Sequence, residues 1–326
     1  MAYESGTTSS WSDLRSKLST FLAANGWSVA SNLFYKDGCY VEIVVDALGG
    51  QGSLRITGGD GKTGGNELTG TPQGHLQYAW LTKPAKNIPV EFPCNYYLHL
   101  KSTPNDEVIL VLNYSSDAYI NLGFGKSPAE GNTASGNWFH ASCCLRATDD
   151  YYSGLLQTYT TPAGHNYAEN PYLMPFFCNS THRYGFSTSI ITSDFRANIG
   201  EDDFWCSEFA VDSSGSSIIP TFTPSACLDV SPMLSVQPNT STGESMLLPC
   251  NIWTRVGGEE ETNIYRVGYI DIVKFLRIDN LSPGQIITVG SDDYSVYPAC
   301  RKNVNARDGG FSHDGYTGTL GFAVKK

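Results

Sequence analysis

The sequence predicts a mainly β protein of antiparallel meanders or a sandwich, with one N-terminal amphipathic helix and long Gly/Ser/Pro-rich loops. Short β-branched and aromatic runs alternate with turn residues along most of the chain. Tyr, Phe and Trp make up 12% of the residues, and these side chains suit sheets and interfaces better than helices. A single N-terminal segment shows clear helical spacing of its apolar residues.

The strongest strand signal lies between Pro93 and Cys144. Turn residues divide this stretch into four extended runs, Tyr96–Lys101, Val108–Tyr114, Tyr119–Phe124 and Asn137–Cys143. Neighbouring strands of this kind pair into a meander, and we expect one face of it to be buried. Because no nucleophile stands beside a base here, the stretch predicts the centre of a sheet and not a reaction centre.

The helix is predicted between Trp11 and Ala24. Ser10 is a suitable N-cap, Asp13 gives a carboxylate form of the capping box, and Gly26 fits a left-handed stop. Apolar residues recur along one face at Leu14, Leu18, Phe21 and Leu22. This face must pack on the following sheet or on a neighbouring subunit. For the second case, the candidate partner contacts are Trp11, Leu14, Leu18 and Phe21.

A hairpin and a glycine-rich loop follow the helix. Asp37-Gly38 is a strong hairpin turn between two strand-like runs, residues 32–36 and 39–48. We interpret Gly58–Gly74 as a mobile surface loop, with Lys62 as a further candidate partner contact. The loop contains Gly-Lys-Thr, but it lacks the upstream glycine and the following helix of a phosphate-binding loop.

The middle of the chain is rich in turns and aromatic residues. Residues 145–180 can line a sugar-binding groove or a subunit interface, or can anchor a core under long loops. The candidate contacts here are Tyr151, Tyr152, Tyr159 and Tyr167. Strand-like runs at Tyr184–Thr192 and Asp203–Val211 follow. We assign residues 1–215 to a helix plus main β domain and 216–249 to a linker or long loop.

The C-terminal part, residues 250–326, predicts a β segment that can pack into the same domain. Strands are expected at Arg266–Ile278, Gln285–Gly290, Asp293–Pro298 and Leu320–Val324. Pro283-Gly284 has the composition of a type II turn, and Asp292-Asp293 predicts a second turn.

Composition excludes several classes of function. The net charge is −11 at pH 7, whereas nucleic-acid binding needs a surface rich in Lys and Arg. No apolar run reaches the roughly 20 residues that span a bilayer, and the N-terminus lacks the features of a secretory signal. We therefore expect a soluble protein made in the cytoplasm, with neither nucleic acid nor membrane as a partner.

Metal, cofactor and nucleophile motifs are also missing from the sequence. The nine cysteines include no C-x-x-C pair and predict buried free thiols, with disulfides formed after release as the alternative. The six histidines include no i, i+4 pair and no H-E-x-x-H, and no calcium loop or Gly-x-Ser-x-Gly occurs. We expect no catalytic residue, no metal and no cofactor.

Three segments resemble virion structural proteins of tailed bacteriophages, found among tail, neck and baseplate components. The resemblance lies in MAYESGT…W-x-x-L…GW, in YYLHLKSTPNDEVILVLNYSSDAYINLGFGKSP…GNWF, and in VGYIDIV…SPGQIITVGSDDYSVYPACRK…LGFAVKK. These motifs fall within residues 1–48, 93–142 and 266–326. They contain no catalytic residues that could be transferred to this chain.

The resemblance implies a non-enzymatic structural component of the tail, collar or baseplate. Its partners would be other virion proteins and copies of itself in a closed ring, and its location would be the virion. The alternative is a tail adhesin that binds a host-surface glycan through the aromatic residues 151–177. A tail-associated glycan hydrolase is the third hypothesis, since the sequence does not exclude two carboxyl groups on opposite sides of a bond in a cleft. The chain shows no repeat of a β-helix, the usual frame of tail depolymerases, which disfavours this hypothesis.

Overall fold

The computed structural model describes residues 1–46, 52–70, 78–81, 90–126, 137–141, 143–145, 152–154, 189–191, 205–206, 246–256, 263–278, 280–298, 302 and 320–326. Its elements are β1 (Ala2–Thr8), α1 (Trp11–Ala24), β2 (Ser28–Ala30), β3 (Leu33–Lys36), β4 (Cys39–Asp46), β5 (Ser53–Gly59), β6 (Gly61–Lys62), β7 (Leu68–Thr69), β8 (Tyr78–Leu81), β9 (Cys94–Lys101), β10 (Glu107–Asn113), β11 (Tyr119–Lys126), β12 (Asn137–Ala141), β13 (Cys143–Leu145), β14 (Tyr152–Gly154), β15 (Ser189–Ile191), β16 (Trp205–Cys206), β17 (Leu248–Val256), β18 (Asn263–Arg277), β19 (Ile286–Val289), β20 (Asp292–Pro298) and β21 (Leu320–Lys325). The predicted class, mainly β and antiparallel with one helix, is confirmed for these residues.

Three antiparallel sheets form the frame. The central sheet has the strand order β1-β9-β10-β11-β12-β15. The N-terminal sheet has the order β14-β13-β8-β5-β4-β3-β2, and the C-terminal sheet has the order β16-β17-β18-β21-β20-β19. The four runs predicted between Pro93 and Cys144 correspond to β9 to β12, which pair in sequence order as an antiparallel meander.

The central sheet is buried on both faces, which corrects the expectation of one buried face. Leu110 and Leu112 of β10 pack into a core shared with α1 and the N-terminal sheet. Ile109 and Val111 of the same strand pack into a second core shared with the C-terminal sheet. Because successive side chains point to opposite faces, the unbroken apolar run Val-Ile-Leu-Val-Leu supplies both layers at once.

Two glycines of β11 allow this close packing. A Cβ on Gly123 would lie 2.8 Å from the side chain of Ile109 and 3.2 Å from the ring of Trp138. A Cβ on Gly125 would lie 2.4 Å from the carbonyl oxygen of Asp106. The Gly-Phe-Gly sequence of β11 therefore leaves room on the face that meets the C-terminal sheet, while Phe124 fills the opposite core.

The helix has the predicted bounds and caps. The Asp13 N–H donates to Ser10 Oγ at 3.0 Å, and the Asp13 carboxylate accepts from the Ser9 N–H at 2.8 Å, one residue before the cap. Gly26 has φ +84°, as a left-handed stop requires.

The apolar face of α1 packs inside the chain and not outward. Relative exposures of 6%, 0%, 0% and 4% are found for Trp11, Leu14, Leu18 and Phe21. Their neighbours in the same core come from β4, β5 and the central sheet. We therefore revise the prediction that these four side chains contact a partner, because the following sheet is what covers them.

The interpretation of Gly58–Gly74 as a loop is wrong for its first part. Gly58 and Gly59 end β5, and β6 pairs with β7 in a small hairpin. Between them the Thr63 N–H donates to the Glu67 carbonyl oxygen at 2.8 Å. Strand β7 thus follows Gly-Lys-Thr where a phosphate-binding loop would have a helix. Residues 71–74 lie outside the described residues.

The predicted hairpins and C-terminal strands are confirmed with small shifts of their bounds. Asp37 and Gly38 have φ of +47° and +82°, which suits a two-residue hairpin turn between β3 and β4. The Gln285 N–H donates to the Ser282 carbonyl oxygen at 3.0 Å, closing the Pro283-Gly284 turn. The turn predicted at Asp292-Asp293 lies two residues earlier, because both of these residues belong to β20.

The described part of the C-terminal segment packs directly on the central sheet, through Phe275, Tyr297 and Phe322. Strand β16, at residues 205–206, pairs with β17 of this sheet. The boundary at 215 lies outside the described residues, and the boundary at 249 falls one residue after the start of β17. The division into domains stays a prediction. The strands predicted at Tyr184–Thr192 and Asp203–Val211 are described only in part, as β15 and β16.

Candidate functional site: a buried polar seam between two sheets

Polar side chains lie between the central and C-terminal sheets, where most neighbours are apolar. We call His99, Lys101, Glu107, Asp271 and Tyr297 the polar seam. His99 and Lys101 share one face of β9, and Glu107 stands directly opposite Lys101 on β10. Relative exposures are 0% for His99, 6% for Lys101 and 0% for Glu107. Polar groups this deeply buried need partners, and each has one in the facing sheet.

Glu107 binds the backbone of a bulge in β18. Between Pro249 and Cys250 of β17, the paired residue in β18 changes from Lys274 to Ile270, so three residues of β18 are passed over. The pairing of β18 with β21 begins only at Val273. Within the described pairings, the backbones of Asp271 and Ile272 therefore have no register partner in either neighbouring strand.

The Glu107 carboxylate satisfies these two backbone groups. The Asp271 N–H donates to one carboxylate oxygen at 3.0 Å, and the Ile272 N–H donates to the other at 2.7 Å. A carboxylate is a strong double acceptor of this kind. Burial raises the pKa of the Glu107 carboxyl to about 7, although Lys101 and the two backbone N–H groups act in the lowering direction.

A chain of alternating charges surrounds this contact. Lys101 Nζ lies 3.0 Å from a carboxylate oxygen of Asp271, and Lys274 Nζ lies 3.4 Å from the other oxygen. Burial acts to raise the pKa of Asp271, but the hydrogen bonds and charges of the two lysines hold that pKa below its ordinary value. Asp271 thus remains charged at neutral pH and gives the buried Lys101 its counter-ion.

His99 makes the second polar contact between the sheets. Its Nδ1 lies 3.1 Å from the Lys325 carbonyl oxygen, and its Nε2 lies 2.9 Å from the Tyr297 hydroxyl oxygen. Because a carbonyl only accepts, we assign the proton to Nδ1, and Nε2 then accepts from the Tyr297 hydroxyl. Burial lowers the pKa of the His99 imidazole to about 3, so it is neutral at pH 7.

The polar seam links the central sheet to the C-terminal sheet. Four of its titratable groups, those of His99, Lys101, Glu107 and Tyr297, are buried, whereas the Asp271 side chain is 39% exposed. All five are directed at a donor or acceptor within the chain. Within the described ranges, no group of three or more His, Cys, Asp or Glu side chains is placed to hold a metal ion. The chemistry that this arrangement supports is hydrogen bonding and ion pairing between sheets.

The C-terminal sheet ends in an uncharged edge strand. Within the described part of the chain, no strand pairs with the outer side of β19. Ile286 and Val289 are 47% and 50% exposed, and neither Lys, Pro nor a charged residue interrupts the strand. Natural edge strands usually carry such protection against pairing with another chain.

The backbone of β19 offers groups on its outer side. The Val296 N–H donates to the Gln285 carbonyl oxygen at 2.9 Å, so the backbone of Gln285 faces β20. Backbone direction alternates along a strand, and the N–H and C=O groups of Ile286 and Thr288 therefore point away from β20. This edge can accept a further antiparallel strand.

Lys62 lies beside a pair of tyrosines on the N-terminal sheet. The rings of Tyr35 and Tyr40 stack at 5.9 Å with an interplanar angle of 15°. Lys62 Nζ stands 5.0 Å from the centre of the Tyr35 ring and donates to Asn66 Oδ1 at 3.0 Å. Its contacts are thus within the chain, and its role toward a partner stays a prediction.

The remaining candidate residues fall in the middle of the chain. Tyr151, Tyr159 and Tyr167 lie outside the described residues. Tyr152 begins β14, of which only the backbone is described. Their part in a glycan-binding groove or a subunit interface stays a prediction.

Sequence reasoning missed the polar seam and found β19 only as a strand. One available signal was the position of His99 and Lys101 inside an otherwise apolar run, where burial on both faces would demand partners. The partners themselves could not be found, since Glu107 and Asp271 are separated by 164 residues.

No family model matches the chain, and a search of curated proteins finds no match either. Among the described residues, no helix has the length and apolar character needed to cross a membrane.

Proposed function

We propose that this chain is a non-enzymatic structural component of a tailed-bacteriophage virion, in the tail, collar or baseplate. It would act by assembly with other virion proteins and with copies of itself in a closed ring. Support comes from the resemblance of the three segments quoted above. The single structural observation that carries the proposal is the uncharged edge strand β19 with its exposed Ile286 and Val289.

An edge of this kind favours assembly by strand pairing. Backbone hydrogen bonds give such a contact its direction, and alternate side chains give it specificity. The buried titratable groups of the described core, in contrast, already hold the chain's own sheets together. We therefore propose no enzymatic activity, and no cofactor or metal.

Edge substitution tests this mode of assembly. We expect the purified full chain to form oligomers in mass photometry, and Ile286→Lys to shift the population toward monomer, because a charge would have to be buried beside the added strand. Val45→Lys is the matched control, since Val45 is 39% exposed but lies on β4, which is paired on both sides. Equal oligomer populations for both variants and the wild type would exclude the β19 edge.

Location in the particle is tested separately. We expect an affinity-tagged chain, expressed from the phage genome that encodes it, to appear in purified particles, with gold label at the tail, collar or baseplate in negative stain. Particles that contain no tagged chain would contradict the structural role, whatever the oligomeric state of the purified protein.

The adhesin hypothesis depends on residues 151–177, of which only residues 152–154 are described. It stays an alternative. Saturable binding of the purified chain on a glycan array, lost on Tyr→Ala changes there, would favour it.

A further inference from the structure

At the bulge in β18, Asp271 and Ile272 have no register partner in β17 or β21 within the described pairings. The side chain of Glu107, from the central sheet, binds the backbone there. Asp271 and Ile272 donate their N–H groups to Glu107 at 3.0 and 2.7 Å. Glu107 itself is completely buried. The two sheets contribute different groups to this contact, a side chain from one and two backbone donors from the other.

We infer that the charge on Glu107 controls how firmly the C-terminal sheet is held on the central sheet. The ionised carboxylate accepts both N–H groups, whereas the protonated carboxyl places a hydroxyl beside one of them and weakens that bond. Against this, the ionised form brings a charge into the interior, which costs free energy. Because burial is the larger effect and raises the pKa of Glu107, the cost of the buried charge outweighs the gain in hydrogen bonding. The C-terminal sheet is therefore held more firmly when Glu107 is protonated.

The groups that face Glu107 determine the pH at which its carboxyl ionises. Lys101 stands opposite on β9, and Asp271, which also pairs with Lys274, faces Glu107 from β18, while the register partner on β11 is Gly125. His99, next along the same face of β9, is neutral above about pH 3 because burial lowers its pKa. Burial raises the pKa of Glu107 to about 7, so both of its forms are present near neutral pH.

Backbone amide shifts report this titration directly. In the 15N-labelled full chain, we expect the amide protons of Asp271 and Ile272 to move between pH 5 and 9 with a common midpoint near 7. Glu107→Gln should remove the movement. Glu42→Gln is the control, because this half-exposed carboxylate on β4 pairs with Arg55 at 3.7 Å, away from the seam. Amides that stay flat over this range, or that titrate below pH 5, would overturn the inference.

A second variant separates charge control from a merely structural contact. Lys101→Met removes the cation that acts to lower the pKa of Glu107, so the amide midpoint should move to higher pH. An unchanged midpoint would count against the inference, and this test does not require Glu107→Gln to fold.

Hydrogen exchange measures how firmly the C-terminal sheet is attached to the central sheet. Corrected for the intrinsic rate, protection of the β18 amides in the wild type should fall between pH 5 and 7 relative to Glu107→Gln, by at most about tenfold per pH unit. Parallel profiles in the two proteins would mean that Glu107 does not control the attachment. This inference does not depend on the proposed function, because it concerns the contact between the two sheets within one chain.

Discussion

At His99, Lys101 and Glu107 the interior contains groups that usually stay in contact with water. Each is directed at a partner in the facing sheet: the Lys325 carbonyl, the Asp271 carboxylate and the β18 backbone. Removing one partner leaves the other buried and unsatisfied, which costs about 1–3 kcal/mol for a neutral group and more for a charge. At this scale polar contacts fix how the two sheets match, whereas the apolar contacts supply most of the stability.

The buried histidines predict a loss of stability in acid. Burial lowers the pKa of both His99 and His140 to about 3 from an ordinary value of 6.5. Between these values the unfolded state binds more protons, so the free energy of unfolding rises with pH, by at most about 1.4 kcal/mol per pH unit for each histidine. The raised pKa of Glu107 has the opposite effect. Between pH 4.5 and about 7 the folded state binds more protons at this carboxyl, so its contribution to the free energy of unfolding falls as pH rises.

Urea unfolding from pH 3 to 8 checks this balance. Two histidines oppose one glutamate, so their combined contribution to stability should be greatest near pH 7, where the two unfolded-state imidazoles bind about as many protons as folded-state Glu107 does. The steepness of the acid side should decrease in His99→Gln, because one of the two protonating groups is then gone. A wild-type profile parallel to that of His99→Gln would show that His99 is not held neutral by burial.

At the scale of elements, local sequence defines the helix and its ends. Ser10 caps α1, and its neighbours Thr8 and Ser9 bind the Asp13 carboxylate from the preceding turn. Strand β18 behaves differently, since its 15 residues are interrupted by the bulge at Asp271 and Ile272. The two N–H groups at that interruption are satisfied by Glu107, a residue of another sheet.

Removal of the cap should destabilise the protein by a modest and local amount. We expect Ser10→Ala to lower the free energy of unfolding by about 1 kcal/mol, because the Asp13 N–H loses its acceptor. Ser16→Ala is the matched control on an exposed position of the same helix, where alanine favours the helix slightly. Equal urea midpoints for the two variants would contradict the cap assignment.

For the whole molecule, the decisive feature is a central sheet with a core on each face. Both cores contain buried side chains of the strands β10, β11 and β12. The helix, the N-terminal sheet and the C-terminal sheet therefore depend on the same backbone. We expect the described layers to unfold together.

Two neighbouring residues of β10 test this dependence. Leu110→Ala opens a cavity on the helix side and Ile109→Ala opens one on the other side, each at a cost of about 2–5 kcal/mol. Far-UV circular dichroism and tryptophan fluorescence should shift together in both variants. Val45→Ala, at an exposed position, should change the midpoint little. Separate transitions by the two probes would show that the layers are independent.

The sequence by itself determined the β class, the helix with its caps, the hairpin turns and the main strands, because these depend on propensity and spacing over a few residues. Only the tertiary structure decided that both faces of the Val108–Leu112 run are buried, that the helix face is covered from within, and that Glu107 meets the β18 bulge. Those contacts join residues distant in sequence, and a periodic pattern tells which side chains are apolar but not what lies opposite them.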